Sequence, residues 1–209
     1  MHQKNILSAG KPLNPDSRVL IMIHGRGSSA ANILSFASNL DVEGFSLLAP
    51  QATNHTWYPY SFLAPPKENE PWLSSALAIL NEMVIDITDM GISRENIFFL
   101  GFSQGACLTL EFVTRNAGIF GGVLAFTGGL IGDRIYSEQY IGDFQQTPFF
   151  LGSSDPDPHV PVERVQSSAN LIKNMNANVT VKIYPHMGHT INQDEIMYAN
   201  QMLISHKDA

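Results

Sequence analysis

The sequence predicts an α/β architecture, a mostly parallel central sheet with helices on both faces. Three observations predict it. Hydrophobic runs of strand length alternate with longer stretches of helical period along most of the 209 residues. An apolar share of 44% with 15% charged residues is ordinary for a globular chain able to bury a sizeable core. No internal repeat, low-complexity tract or linker interrupts the rhythm, so residues 1–209 read as one domain.

The elements follow in order. "RVLIMIH" (18–24) reads as a strand and 28–40 as a helix; "FSLLAP" (45–50) precedes a helix over 71–90; "NIFFLGF" (96–102) runs into a helix over 104–116. The second half adds "FGGVLAF" (120–126), "PFFLG" (148–152), a helix near 161–176, "VTVKIYP" (179–185) and a helix near 191–206. Near-continuous apolar runs of this kind mark strands covered on both faces. Two segments break the rhythm: 51–71, where Pro59, Pro65, Pro66 and Pro71 are interleaved with aromatics, and 128–147, rich in Gly, Asp and Tyr. Loops that long on a compact sheet are expected to cap a site.

Composition excludes several classes of function. The formal net charge is -7, and Lys and Arg are scattered, so there is no basic footprint for nucleic acid. The single cysteine, Cys107, rules out an intramolecular disulfide and a thiolate cage for zinc, and it fits a reducing compartment. The N-terminal "MHQKNILSAGKPLNPDSR" lacks the apolar core of a signal peptide, and no later run approaches membrane-spanning length. The expectation is a soluble, cytoplasmic protein without stable membrane insertion. A homodimer is compatible with it.

Chemistry enters at Gly101-Phe102-Ser103-Gln104-Gly105. A bare G-x-S-x-G occurs by chance in roughly one chain of this length in fourteen, so the pattern alone is weak. It becomes mechanistic where a strand ends and a helix begins, because small flanking residues permit a sharp turn that lifts the serine hydroxyl above the sheet edge. Here "NIFFLGF" runs straight into it and "ACLTLEFVTR" continues as helix. A serine N-cap between two turn-closing glycines is the plainer alternative.

A nucleophilic serine needs a base, and the base needs an orienting acid; in the α/β-hydrolase arrangement they follow in the order Ser, Asp or Glu, His. Of the downstream histidines, His189 falls in a loop between "VTVKIYP" and the final helix, at the expected end of the sheet. His186, beside Pro185, reads as a turn residue and His206 as surface. For the acid, Asp155 and Asp157 both follow the strand "PFFLG"; one of them is expected to support the Asp-Pro turn and the other to accept from the imidazole. An oxyanion needs two N–H donors. The backbone of Gln104, just after the serine, offers one, and that of Arg26 in "MIHGRGSS" the other, with His24 as a structural bridge between loops. Asp157, His159, His186 and His189 also compose a conceivable metal set, but that would leave the strand-Ser-helix motif unexplained. Cys107 reads as a small buried residue.

"HGRGSS", "GFSQGA", "DPHVP" and "MGH", in this order over nearly the whole chain, resemble the phospholipase/carboxylesterase family of the α/β-hydrolase fold, which includes acyl-protein thioesterases. The resemblance implies a serine hydrolase with a Ser103, Asp157, His189 triad, an oxyanion hole from the N–H groups of Arg26 and Gln104, and no cofactor or metal. The family's Gly-x-x-Asp-Pro-x-Val-Pro matches Asp157 without a gap if Ser154 takes the glycine position; counting from Gly152 selects Asp155 instead. Arg26 stands where the thioesterase branch has an apolar residue. A guanidinium pointing into the pocket favours polar or anionic substrates, whereas one facing water leaves only its backbone in use.

The expected function is hydrolysis of small carboxylic esters, and of thioesters as an extension, through an acyl-enzyme. Trp57, Tyr58, Tyr60, Phe62 and Trp72 are candidates for the pocket wall, or equally for a mini-core of the loop. The alternatives are a lysophospholipase or acyl-protein thioesterase, a dienelactone-type hydrolase, against which a serine nucleophile argues, and a hydrolase-like protein that only binds its ligand.

Overall fold

The computed structural model describes residues 1–205; the expected end of the last helix at 206 and His206 lie outside the described residues. The strands are β1 (Ile6–Gly10), β2 (Arg18–Ile23), β3 (Phe45–Pro50), β4 (Ile97–Phe102), β5 (Gly122–Phe126), β6 (Pro148–Asp155) and β7 (Asn178–Pro185). The helices are α1 (Ala30–Ser35), α2 (Trp72–Asp89), α3 (Gln104–Arg115), α4 (Val162–Asn174) and α5 (Gln193–Ser205). They form a seven-stranded sheet in the order β1-β3-β2-β4-β5-β6-β7, parallel except for β1.

Alternation along the strands explains why the apolar runs are continuous. In β2, Val19, Ile21 and Ile23 face one core and Leu20 and Met22 the other; in β4, Ile97 and Phe99 oppose Phe98 and Leu100 in the same way. Helices α2, α3 and α4 cover the first face, and α1 and α5 the second. Helix α2 is amphipathic, with Leu73, Ala76, Leu80, Met83 and Ile87 buried at intervals of three and four. Helix α3 is buried all round as far as Thr114, because the two long loops lie over its outer side.

Three elements differ from the sequence reading. The N-terminal stretch contains a strand, β1, which pairs antiparallel with β3 from Ile6↔Pro50 to Gly10↔Ser46. Its mostly exposed "ILSAG" carries no strand pattern, and pairing with an open sheet edge supplies the order. The helix expected over 28–40 is α1 plus a 3₁₀ turn, Phe36–Asn39: Ser29 caps its start, and the hydroxyls of Ser35 and Ser38 donate to carbonyls three residues back, tightening the chain. Strand β6 runs past "PFFLG" to Asp155, held by pairing with β7 down to Pro185.

The chain moves from β2 outward to β3 and then crosses back over β2 to β4, so the connection reverses between β2 and β4. In open α/β sheets ligands bind outside the carboxyl ends of strands at such a reversal. The loops that begin there are His24–Gly25–Arg26 after β2 and Ser103 after β4. Two glycines let the elements meet. A Cβ on Gly101 would collide with the Gly105 carbonyl, and one on Gly105 with the carbonyls of Ile23 and His24. Gly105→Ala is therefore expected to destabilise the fold by about 2–3 kcal/mol, since backbone cannot yield as a side chain does. A denaturation midpoint equal to wild type would show that α3 can slide away from β2.

Candidate active site

Ser103 joins β4 to α3 with φ 55° and ψ -120°, a backbone region that a residue with a side chain adopts only under constraint. The constraint is visible: Ser103 N–H donates to Phe126 O at 2.9 Å, and the glycines on either side allow α3 to start against β2. The hydroxyl makes no helix-cap hydrogen bond. It donates instead to His189 Nε2 at 2.8 Å, while His189 Nδ1–H donates to Asp157 Oδ2 at 2.9 Å. That pairing assigns the proton of a neutral imidazole to Nδ1.

Asp157 lies in the loop after β6, with its other oxygen, Oδ1, accepting the N–H groups of His159 and Val160, both at 2.8 Å. Burial alone would raise this carboxyl, but the His159 N–H, the His189 imidazole and the Val160 N–H outweigh it and hold it below the ordinary carboxylate range. Asp155 is the last residue of β6; its carboxylate is exposed, and its carbonyl accepts His186 N–H. The structure thus brings Asp157, not Asp155, to His189. Ser154 ties the acid loop to the histidine loop, accepting Gly188 N–H at 2.9 Å and donating to Pro156 O. Phe102 and His159 pack on His189 at ring distances of 5.3 and 4.9 Å. His159 entered the sequence reading only as a metal ligand; among the described residues no three His, Cys, Asp or Glu side chains converge to hold an ion.

The loop after β2 approaches the serine closely: a Cβ on Gly25 would touch Ser103 Cβ at 3.4 Å. Among the described residues neither Arg26 N–H nor Gln104 N–H has an acceptor, the latter being one of the first-turn donors that a helix leaves unpaired. The side chains of these two residues do work that their backbone roles did not foretell. Gln104 Oε1 accepts Trp57 N–H at 2.9 Å and its Nε2 donates to Tyr58 O at 2.8 Å. Arg26 Nη1 donates to Thr56 Oγ1 and Pro59 O, both at 2.9 Å, and Nη2 to Tyr60 O at 2.7 Å. Residues 56–60 are thereby clamped over the serine. His24 is buried, with Nδ1–H donating to Gly25 O and Nε2 accepting Ala52 N–H, so it joins β2 to the same loop, as expected; burial lowers its pKa and keeps it neutral.

The cleft above Ser103 has a volume of about 660 Å³. Tyr58, Tyr60 and Phe62 line it, as does Cys107, a thiol that burial pushes up to about 12 and so leaves unreactive. Trp57 and Trp72 do not line it. Trp57 is wholly buried, its indole N–H donating to His24 O, and Trp72 is half-buried against His2; both belong to the mini-core under the loop. Nor does any residue of 128–147 line it, against the expectation of a second capping loop. That segment spends its polar groups on the scaffold: the buried Glu111 carboxylate accepts Ile131 N–H, the Tyr140 hydroxyl and Arg115 Nε–H, and Arg164 donates to the carbonyls of Leu130 and Gly132.

Helix α5 begins three residues after Thr190 with a reciprocal cap: Asn192 Oδ1 accepts Glu195 N–H and Glu195 Oε2 accepts Asn192 N–H. This fixes where the His189 loop enters the helix. Glu195 is wholly buried, and its second oxygen, Oε1, has no partner among the described residues. Burial raises its carboxyl to about 7 from an ordinary 4.5, the Asn192 N–H opposing and Asp194 adding. A folded-state pKa above the unfolded value favours the fold below the unfolded pKa, and that contribution is lost as pH rises through about 7. Glu195→Gln keeps the cap and removes the titration, so its unfolding free energy should fall less steeply than wild type between pH 5 and 8 in denaturant titrations. Identical slopes would mean that Glu195 titrates like an exposed glutamate.

Comparison with known proteins identifies the family. A family model described as Phospholipase/Carboxylesterase matches residues 4–207. The crystal structure of a phospholipase/carboxylesterase from Dyadobacter fermentans has a TM-score of 0.94 and 50% identity, covering 97% of both chains. Acyl-protein thioesterase 1 of Kluyveromyces lactis is 25% identical over 222 residues, which cover 95% of this chain and 96% of that protein. A probable carboxylesterase of Arabidopsis thaliana is 30% identical over 113 residues, 54% of this chain and 43% of that protein. Against that relative and others like it, the chain spans about half their length. With a family model matched from residue 4 to residue 207 and a half-identical relative along its length, the chain belongs to the phospholipase/carboxylesterase family of the α/β-hydrolase fold.

Proposed function

We propose that this protein is a serine hydrolase of small carboxylic esters, and of thioesters by the same steps, working through an acyl-enzyme. The observation that carries this reading is the relay of hydroxyl, imidazole and buried carboxylate at a strained strand-to-helix junction. A serine that merely capped α3 would need neither the positive φ nor a histidine.

In the first half-reaction Ser103 Oγ attacks the ester carbonyl carbon as its proton passes to His189 Nε2. The carbonyl oxygen becomes an oxyanion that accepts from Arg26 N–H and Gln104 N–H, donors without an acceptor among the described residues. The bond from carbon to the leaving oxygen or sulfur then breaks, and His189 returns the proton to the leaving group. Water repeats the sequence on the acyl-enzyme, releasing the acid and restoring the serine hydroxyl. Asp157 holds the Nδ1–H tautomer and stabilises the imidazolium; its lowered pKa keeps it ionised across the neutral range. A binding protein with a decayed site would have no use for this complete set.

Substrates are small on the scale of the cleft, which at about 660 Å³ is of ordinary size for a small-molecule site. Ser103→Ala should reduce ester turnover to the uncatalysed level with the fold intact; more than a few per cent of wild-type activity would refute the nucleophile. Among equally folded variants, Asp157→Asn should lower kcat by roughly three to four orders of magnitude through loss of the imidazole-orienting carboxylate. Asp155→Asn should cost little, and the opposite ranking would transfer the acid's role to Asp155.

A further inference from the structure

Arg26 is more than a clamp. Its guanidinium is exposed at the rim of the cleft and forms no ion pair among the described residues. The three acceptors that orient it, Thr56 Oγ1 and the carbonyls of Pro59 and Tyr60, are neutral, so its charge is aimed but not cancelled. Of five N–H donors, three are used, which leaves Nε–H and one Nη2–H. Among the residues lining the cleft there is no other Arg or Lys and no Asp or Glu. The chain as a whole carries -7, so an anion meets repulsion over most of the surface and a fixed cation here. A clamp onto hydroxyl and carbonyl oxygens needs donors, not charge.

We infer that the cleft selects esters bearing an anionic group, a carboxylate in the first instance, within one arginine side chain's reach of the scissile carbonyl. The backbone of Arg26 lies beside the reacting serine, through the Gly25 approach to Ser103, and its side chain runs outward along residues 56–60. A carboxylate on the substrate would therefore meet a guanidinium already oriented by the protein, and little ordering cost remains to be met on binding. Tyr58 backs the cation, with its ring 5.9 Å from Cζ.

This inference rests on the esterase reading, and the test separates the two. Monomethyl glutarate is compared with dimethyl glutarate, which places the charge on the acyl side, and 4-acetoxybenzoate with its methyl ester, which places it on the alcohol side. The readout is the charged-to-neutral ratio of kcat/KM in wild type divided by that in Arg26→Gln, so intrinsic reactivity cancels. On one arm or both it should be about tenfold or more, the range of hydrogen bonds to charged groups, and should shrink with added salt. Arg26→Lys, which keeps the charge but not the fork, should retain part of the preference. The same ester pairs titrated onto Ser103→Ala by NMR, with and without Arg26→Gln, report the preference without turnover, so a failed hydrolase reading would not hide it. Equal ratios in wild type and Arg26→Gln on both arms, in turnover and in binding, would overturn the inference; a clamp alone lowers charged and neutral esters together.

Discussion

The structure depends on the close approach of α3 to the end of β2. Gly105 lies against the carbonyls of Ile23 and His24, and Gly101 against Gly105, so the strand that carries Ser103 turns into its helix in a single residue. The positive φ at Ser103 costs of order 1–3 kcal/mol, offset by the buried packing of β2, β4 and α3 around it. From this turn follow both the lifted hydroxyl and a Gln104 N–H that has no acceptor among the described residues. The same approach brings Gly25 onto Ser103 and places Arg26 beside it. A bulkier junction would separate the Ser103 hydroxyl from the N–H groups of Arg26 and Gln104.

Around that junction, buried carboxylates hold the histidine loop of the site and the scaffold behind it. Asp157 gathers two backbone N–H groups and the His189 ring, Glu111 anchors the 128–147 segment to α3, and Glu195 closes the cap of α5. Gln104 and Arg26 do the corresponding work for residues 56–60 from the opposite side. The site is thus assembled from loops, but each loop is tied to a helix or strand by a side chain that leaves little freedom. Tight positioning of this kind is what the proposed proton transfer between Ser103 and His189 requires.

Much of this was legible in the sequence because the chemistry is local there. A strand running into G-x-S-x-G points to Ser103 and a Gly-His after the last strand to His189, whereas Asp157 is preferred over Asp155 only through the resemblance to the family's Asp-Pro-x-Val-Pro pattern. What was not legible depends on partners far along the chain. The backbone groups of residues 57–60 that these side chains meet have no sequence signature, so the roles of the Arg26 and Gln104 side chains could not be read. Trp57 and Trp72 look like pocket residues by composition, yet their surroundings, His24 and His2, place them in the core beneath the loop. Strand β1 lacks a pattern because its order comes from β3. The Asn192-x-x-Glu195 cap was present as a capping pattern and was the one missed element with a usable signal.

In the proposed chemistry Ser103 is the nucleophile and the N–H groups of Arg26 and Gln104 receive the oxyanion. The most direct measurement is the crystal structure of the protein after reaction with a fluorophosphonate. The expected adduct has phosphorus bonded to Ser103 Oγ, with the phosphoryl oxygen within about 3 Å of both N–H groups and His189 still hydrogen-bonded to Asp157. An adduct on another residue, or a phosphoryl oxygen turned away from both donors, would contradict it.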